Sequence, residues 1–200
     1  GTAIGNSINA PKEYIKNVYL ELQKVTGIKN LKPLEILMSG TSSDADFCHM
    51  SSSVTILCND LSKIALDLRF MSSGPRGGIG EISFKELQPG SSIMPGKVNP
   101  VIAETMNQTY YLVSGKNLSI HQAAEGGHLE LGVMLPIIAD SLIVILKTVD
   151  TALRLFADRG IKNIIVNRER CLEHLEKSTA YSTLLTPILG YDTVSKVVKE

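Results

Sequence analysis

The chain of 200 residues has a hydrophobic fraction of 44% and carries 20 basic and 20 acidic residues, so its formal net charge is zero. Without a block of lysine and arginine, the composition excludes a nucleic-acid partner. The apolar run at residues 142–146 is far shorter than the roughly 20 residues that cross a bilayer, so no membrane segment is expected.

The first predicted helices lie in the amino-terminal third. Residues 13–25 have a helical pattern, and Gly27 is placed to end it. A helix of about 30 residues is predicted next, with N-cap candidates at residues 41–44 and a stop at the Gly74-Pro75 pair. Its apolar residues recur three and four apart, which indicates a heptad seam. They are Phe47, Met50, Val54, Leu57, Leu61, Ile64, Leu68 and Met71.

The rest of the chain predicts an all-α fold. Residues 74–97 resemble a loop with a brief extended piece at 81–84, and a second long helix begins at Pro100. A third helix follows Pro136 and is apolar nearly all round, which predicts a position at the centre of a bundle. A polar helix at about 168–177 and two short helices complete the chain. We therefore predict a helical-bundle domain at 1–160 and the start of a small helical domain at 161–200.

Three cysteines, Cys48, Cys58 and Cys171, are an odd number without metal-ligand spacing. The first two fall within a helical pattern, which favours buried thiols over disulfides. A reducing compartment, the cytoplasm, is therefore the expected location.

The segment at 88–99 contains the candidate catalytic groups of the chain. From residue 90 to residue 100 the sequence reads GSSIMPGKVNP, and proline–glycine pairs at 89–90 and 95–96 bracket its serines. Two hydroxyls, a cation and an amide thus share one loop that can open and close, which is typical of a catalytic lid. Asn99 has N-cap chemistry and Pro100 suits the first helical position, so the helix amino terminus should face Lys97 and attract anions.

The GSSIMPGKVNP segment resembles the signature of the aspartase/fumarase superfamily. Four further stretches, at residues 1–5, 67–76, 79–82 and 167–170, extend the resemblance over nearly the whole chain. It implies a lyase that eliminates a group from a small dicarboxylate or succinyl substrate to give fumarate, without cofactor or metal. It also implies a homotetramer, with this chain as a piece of a longer enzyme.

The resemblance assigns roles to five residues. Ser91 would be the general base on the mobile loop, with the adjacent Ser92 as the alternative hydroxyl and a substrate-binding candidate. Lys97 would hold a substrate carboxylate and Asn99 would hydrogen-bond it. Glu104 would support these residues without contacting the substrate itself. A serine base requires an alkoxide stabilised by loop N–H groups and by exclusion of water. The alternative is that these are ordinary loop hydroxyls, a solvated cation and a plain N-cap.

The histidines of this chain do not match the histidine that, in the superfamily, lies beside the glutamate corresponding to Glu104. His49 is expected to pack between helices, whereas His121, His128 and His174 are expected at or near the surface. Arg69 and Arg76 are expected to be a helix C-terminal charge and a loop ion pair.

Within the superfamily, residues 11–15, 86–88, 106–108 and 123–125 resemble the branch that eliminates ammonia from L-aspartate. Residues 79–82 instead resemble class II fumarate hydratases, which is the alternative activity. The segment at 125–136 resembles a helix-breaking bend, although Gly132 replaces the usual asparagine. A hypothesis of another class is that the isolated chain is a catalytically incomplete oligomerisation core, because the superfamily builds each site from several subunits.

Overall fold

The computed structural model describes residues 4–74 and 76–199, so the start of the first superfamily motif (residues 1–3) and Pro75 lie outside the described residues. Within them the chain forms α-helices and one small antiparallel sheet, as the all-α prediction requires. The sheet pairs β1 (Ile82–Ser83) with β2 (Ile165–Val166). The helices are, in chain order, α1 Lys12–Thr26, α2 Ser39–Ser42, α3 Ala45–Met71, α4 Val101–Glu125, α5 Leu135–Leu155, α6 Arg168–Lys177, α7 Ser182–Leu189 and α8 Tyr191–Lys199.

Local sequence signals explain where the first helices begin and end. Gly27 adopts the left-handed conformation at φ +72° and its N–H donates to Gln23 O, which ends α1. The carbonyl of Asp44 accepts from the N–H groups of Phe47 and Cys48 at 3.1 and 3.3 Å, so α3 starts at the predicted cap. The extended piece at 81–84 and the polar helix at 168–177 are also confirmed.

The chain divides into two compact units, and α3, α4 and α5 each contribute to both. The first unit contains the residues up to 60 together with 108–151. Its buried apolar residues are Cys58, Val113, Ile120, Ala123, Ile138, Leu142, Ile145 and Val149. The second unit contains residues 61–107 together with those from 152 onward, including the segment at 88–99. Its buried apolar residues are Ala65, Ile82, Ala103, Met106, Ala152, Phe156 and Val194.

The face of α3 that is buried within the chain is made of small residues. They are Ser51, Cys58, Ser62 and Ala65. None of the heptad seam is fully buried: four members are exposed, Phe47 by 40%, Met50 by 44%, Leu57 by 47% and Ile64 by 47%, and the other four are half-buried. The seam therefore does not form the intrachain core, because close helix packing here uses short side chains.

Two further features differ from the sequence-based expectations. The third helix, α5, is not enclosed on all sides, since Ile145 is fully buried but Ile143 is 52% exposed. After α5 a π-helical turn at Phe156–Gly160 was not predicted. Gly160 lies so near the start of α4 that an added Cβ would come within 3.0 Å of Ile102 Cγ2. The predicted domain boundary at 160–161 stays a prediction.

Candidate active site

The two ends of the signature loop, residues 88–99, are tied together. The Asn99 Nδ2 donates a hydrogen bond of 2.8 Å to the carbonyl oxygen of Gly90. An added Cβ on Gly90 would lie 2.0 Å from Lys97 O, so the two backbone strands approach at a distance that only glycine permits. We call this junction of Gly90, Lys97 and Asn99 the neck of the loop.

Ser91 lies just beyond the neck with its hydroxyl turned toward the backbone of its own loop. Its Oγ accepts hydrogen bonds of 3.1 Å each from the N–H groups of Ile93 and Met94. Two N–H donors aimed at one oxygen stabilise negative charge on that oxygen more than they stabilise the neutral hydroxyl. The local geometry therefore has the kind of donors that an alkoxide at Ser91 requires.

Ser92 and Lys97 are exposed. Among residues 4–74 and 76–199, neither the Ser92 hydroxyl nor the Lys97 ammonium has a hydrogen-bond or ion-pair partner. Between them, Ile93 is 86% exposed and Met94 52% exposed, and Gly96 turns the chain at φ +78°. The tip of the loop thus presents one hydroxyl and one cation to solvent, where a ligand can contact them.

Asn99 does not cap α4 in the predicted way. Its side-chain amide donates back to Gly90, and the carbonyl of Pro100 accepts the first helical bond, from Glu104 N at 3.0 Å. The helix therefore begins at Val101, one residue later than predicted, with Pro100 as the residue that precedes it. The prediction that Asn99 is a plain N-cap is wrong.

Glu104 lies in the first turn of α4 and is half-buried. In the part of the chain that the structure describes, its carboxylate has no hydrogen-bond partner. A carboxylate in the first turn interacts favourably with the helix dipole whatever its further role. The role behind the substrate-binding groups stays a prediction.

A buried polar group near the end of α3 was not foreseen from the sequence. Asn107 is 2% exposed, and its Nδ2 donates to both the carbonyl and the hydroxyl of Ser62, at 2.9 and 2.8 Å. Its Oδ1 accepts from Arg69 Nη1 at 2.9 Å. Arg69 lies in the last turn of α3, as expected for a helix C-terminal charge, and its guanidinium is anchored to a neutral amide. An asparagine within an apolar helical pattern was the only sequence signal for this group.

The histidines divide between exposed and paired positions. His49, expected to pack between helices, is exposed, so that expectation is wrong. His121 is exposed and its Nε2 lies 2.9 Å from Ser52 Oγ. The Nδ1 of His174 lies 2.9 Å from Glu81 Oε1. Over residues 4–74 and 76–199, no three His, Cys, Asp or Glu side chains are grouped so that they could hold a metal ion.

All three cysteines are free thiols. Burial raises the pKa of the Cys58 thiol. Burial and, secondly, the negative charge of Asp44 raise the pKa of Cys48. Both effects favour the neutral thiol, which is a poor nucleophile.

In the described part of the chain, no helix is both long and apolar enough to cross a membrane.

Comparison with known proteins identifies related sequences and structures. Residues 1–115 match the family model described as lyase. The aspartate ammonia-lyase of Bacillus subtilis (strain 168) is 40% identical over 199 residues, which cover the whole of this chain and 42% of the relative. This chain thus spans about two fifths of the length of the curated relatives it matches.

Solved structures with the same fold include a fumarate lyase:delta crystallin from Brucella melitensis bound to cobalt. It has a TM-score of 0.90 and 40% identity, over 99% of this chain and 43% of that one. A recombinant class II fumarase from Schistosoma mansoni has a TM-score of 0.89 and 30% identity, over 99% of this chain and 44% of that one.

Proposed function

This chain belongs to the lyase family that its first 115 residues match, and from that membership we propose that the full-length protein eliminates ammonia from L-aspartate to give fumarate. The relatives named aspartate ammonia-lyase, at 40% identity in Bacillus subtilis and 43% in Pseudomonas aeruginosa, support this choice of substrate. The observation that carries the proposal is the pair of N–H donors on Ser91 Oγ within the signature loop.

The proposed reaction begins with proton transfer from the carbon next to a substrate carboxylate to the Ser91 alkoxide. The electron pair of that C–H bond moves into the carboxylate and gives a doubly charged aci-carboxylate. When this intermediate collapses, the C–N bond breaks and ammonia leaves, which gives fumarate. Stabilisation of the added charge by preorganised donors is usually the largest contribution to such a step.

The other predicted residues have binding roles in this proposal. Lys97 pairs with a substrate carboxylate, Asn99 hydrogen-bonds it and Ser92 contributes its hydroxyl. Their positions in one loop, with the Lys97 ammonium unpaired within the described residues, support these roles. Glu104, in the first turn of α4, supports the binding groups without contacting the substrate itself.

Fumarate absorbance tests the proposal directly. The full-length protein is supplied with L-aspartate and separately with L-malate, as wild type and as Ser91→Ala. We expect fumarate from aspartate, with kcat lowered about 10²–10⁴-fold by the substitution because the general base is lost. Ser119→Ala, which removes another serine hydroxyl from α4, is the matched control. A Ser92→Ala enzyme that loses more activity than Ser91→Ala would transfer the role of base to Ser92.

Class II fumarate hydratase is the second candidate activity. The likeness to the Schistosoma mansoni fumarase supports it at lower identity, 30% against 40% for the Bacillus subtilis relative. Fumarate from malate alone would establish it in place of the ammonia-lyase activity.

Self-association is part of the proposal. The exposed apolar residues of α3, Phe47, Met50, Leu57 and Ile64, form an apolar face of the kind that assembles helices between subunits. We propose a homotetramer in the cytoplasm, and an isolated 200-residue chain that associates without catalysing turnover. Sedimentation equilibrium measures the assembly, and fumarate production by the isolated chain would contradict its inactivity.

A further inference from the structure

One face of α6 is hydrogen-bonded along its length to the segment at residues 78–83. Four residues that lie three or four apart contribute to this face: Asn167, Arg170, Cys171 and His174. They contact four successive backbone carbonyls and two side chains of the segment. We call this set of contacts the clasp.

Arg170 contributes two hydrogen bonds to the clasp. Its Nε donates to Ile79 O at 3.1 Å and its Nη2 donates to Gly78 O at 3.2 Å. The remaining Nη1 donates to Glu173 Oε2 at 2.7 Å, which orients the guanidinium from its own helix. A planar guanidinium presents its donors to such diverging acceptors in a fixed fork, whereas an ammonium is a point charge on a flexible stem.

Asn167 supplies the next contacts, from the position just before α6. Its Nδ2 donates to Gly80 O at 2.6 Å and to Ser83 Oγ at 3.0 Å, and its backbone N–H donates to Glu81 O at 2.8 Å. The side chain makes no capping bond to α6. It is therefore committed to the segment and not to its own helix.

Glu81 receives the last contacts. Its carbonyl accepts from Cys171 Sγ at 3.7 Å, and its carboxylate contacts His174 Nδ1 at 2.9 Å. The pairing of β1 with β2 adds backbone bonds beside these side-chain contacts. The segment is thus fixed by residues that lie almost ninety positions later in the chain.

The segment continues directly into the stem of the signature loop. Phe84, Lys85 and Leu87 share a shallow depression with residues 99–102, where α4 begins. The stem therefore runs from the clasp, past the start of α4, to the neck at Gly90. A change in the position of the segment would be passed along this short stem to Ser91.

We propose that Arg170 and Asn167 are positioning residues of the reaction: through the clasp they hold the stem of the signature loop and so fix the place of Ser91. This inference rests on the function proposed above. Neither residue touches substrate in this role. Their loss should lower the rate of the chemical step and leave substrate affinity nearly unchanged.

The test uses the full-length protein with Arg170→Ala, Arg170→Lys and Asn167→Asp. Controls are Arg168→Ala, an exposed arginine of the same helix, and Asn163→Asp, an amide that donates to Asp158 O outside the clasp. Because small displacements of reacting groups cost up to about 10²-fold, we expect Arg170→Ala and Asn167→Asp to lower kcat about 10- to 100-fold, with KM changed by less than about threefold. Arg170→Lys should retain an intermediate rate, since it keeps the charge and hydrogen-bond donors but loses their fixed planar geometry. Both controls should keep wild-type kcat.

Hydrogen–deuterium exchange provides a readout that does not depend on activity. In Arg170→Ala and Asn167→Asp, peptides covering residues 84–98 should exchange faster, whereas peptides from α5 should exchange as in wild type. If Arg170→Ala does not fold, Asn167→Asp alone decides. Unchanged exchange at 84–98 in a folded clasp variant overturns the inference, as does an equal rate loss in the controls. If wild type makes no fumarate from aspartate, the proposed function fails, and exchange still decides whether the clasp fixes the loop.

Discussion

The signature loop and the clasp hold their residues in opposite ways. Within the loop, Ser91 is bonded to N–H groups two and three residues away, and Asn99 is bonded to Gly90 across the neck. In the clasp, Asn167 and Arg170 bond to residues 84 to 92 positions earlier. The proposed reactive groups thus lie on an exposed loop with local bonds, and the contacts of the clasp come from distant parts of the chain. A loop built in this way can move without unfolding the framework.

The largest expected difference between loop and framework is in stability. Met106 is 1% exposed in the second unit, whereas Ile93 at the loop tip is 86% exposed. We expect Met106→Ala to lower the free energy of unfolding by about 2–5 kcal/mol, because it leaves a cavity. Ile93→Ala should change it by less than about 0.5 kcal/mol. Urea unfolding of both variants measures this difference. Equal losses of unfolding free energy would contradict the view that the tip of the loop contributes little to the stability of the core.

The next effect is on activity and sharpens the role of the neck. Gly90→Ala would place a methyl group against the carbonyl of Lys97, so the neck must open and displace Ser91. We expect kcat to fall about 10²-fold, since misplacing a reacting group has costs of that order. The measurement is fumarate production with saturating aspartate.

Gly115→Ala is the matched glycine substitution on α4. A Cβ there meets nothing within 4 Å, so we expect unchanged kcat and a gain of about 0.5–1 kcal/mol in unfolding free energy. Wild-type activity in Gly90→Ala would show that the neck can open without consequence.

The smallest expected effect is the pH dependence of stability that comes from Glu173, the carboxylate that orients Arg170. Hydrogen bonds from Lys177 and then Arg170 lower the pKa of Glu173 from 4.5 to about 2. Because the folded-state pKa is depressed, the stabilisation is present above pH 4.5 and is lost as the pH falls toward 2. Glu173→Gln should therefore melt below wild type at pH 6, by a margin that shrinks at pH 3. Thermal melts at both pH values test this, and a constant margin would contradict it.

Much of the fold followed from local signals in the sequence. The glycine at 27 and the polar residues before α3 each act through bonds within a few residues. The signature loop was predictable for the same reason, because its chemical groups lie in one continuous segment, residues 90–100. The roles of Ser91, Ser92, Lys97, Asn99 and Glu104 remain predictions.

Tertiary packing decided what the sequence pattern left open. The heptad pattern on α3 indicated a large apolar seam, but the face buried within the chain is the one with Ser51, Ser62 and Ala65, because only short side chains permit close approach. The hydrogen bond from the Asn99 amide to Gly90 O was likewise not predicted, since an asparagine before a helix equally suits a cap.

What the sequence by itself determined is therefore the helices other than the short α2, their approximate ends and the chemical groups of the signature loop, all of which depend on neighbours in the chain. Only the tertiary structure decided that Asn107 would anchor Arg69 and that Asn167 and Arg170 would hold the segment before the loop. Hydrogen bonds between residues far apart in sequence leave no periodic signal, because they depend on where whole helices come to lie.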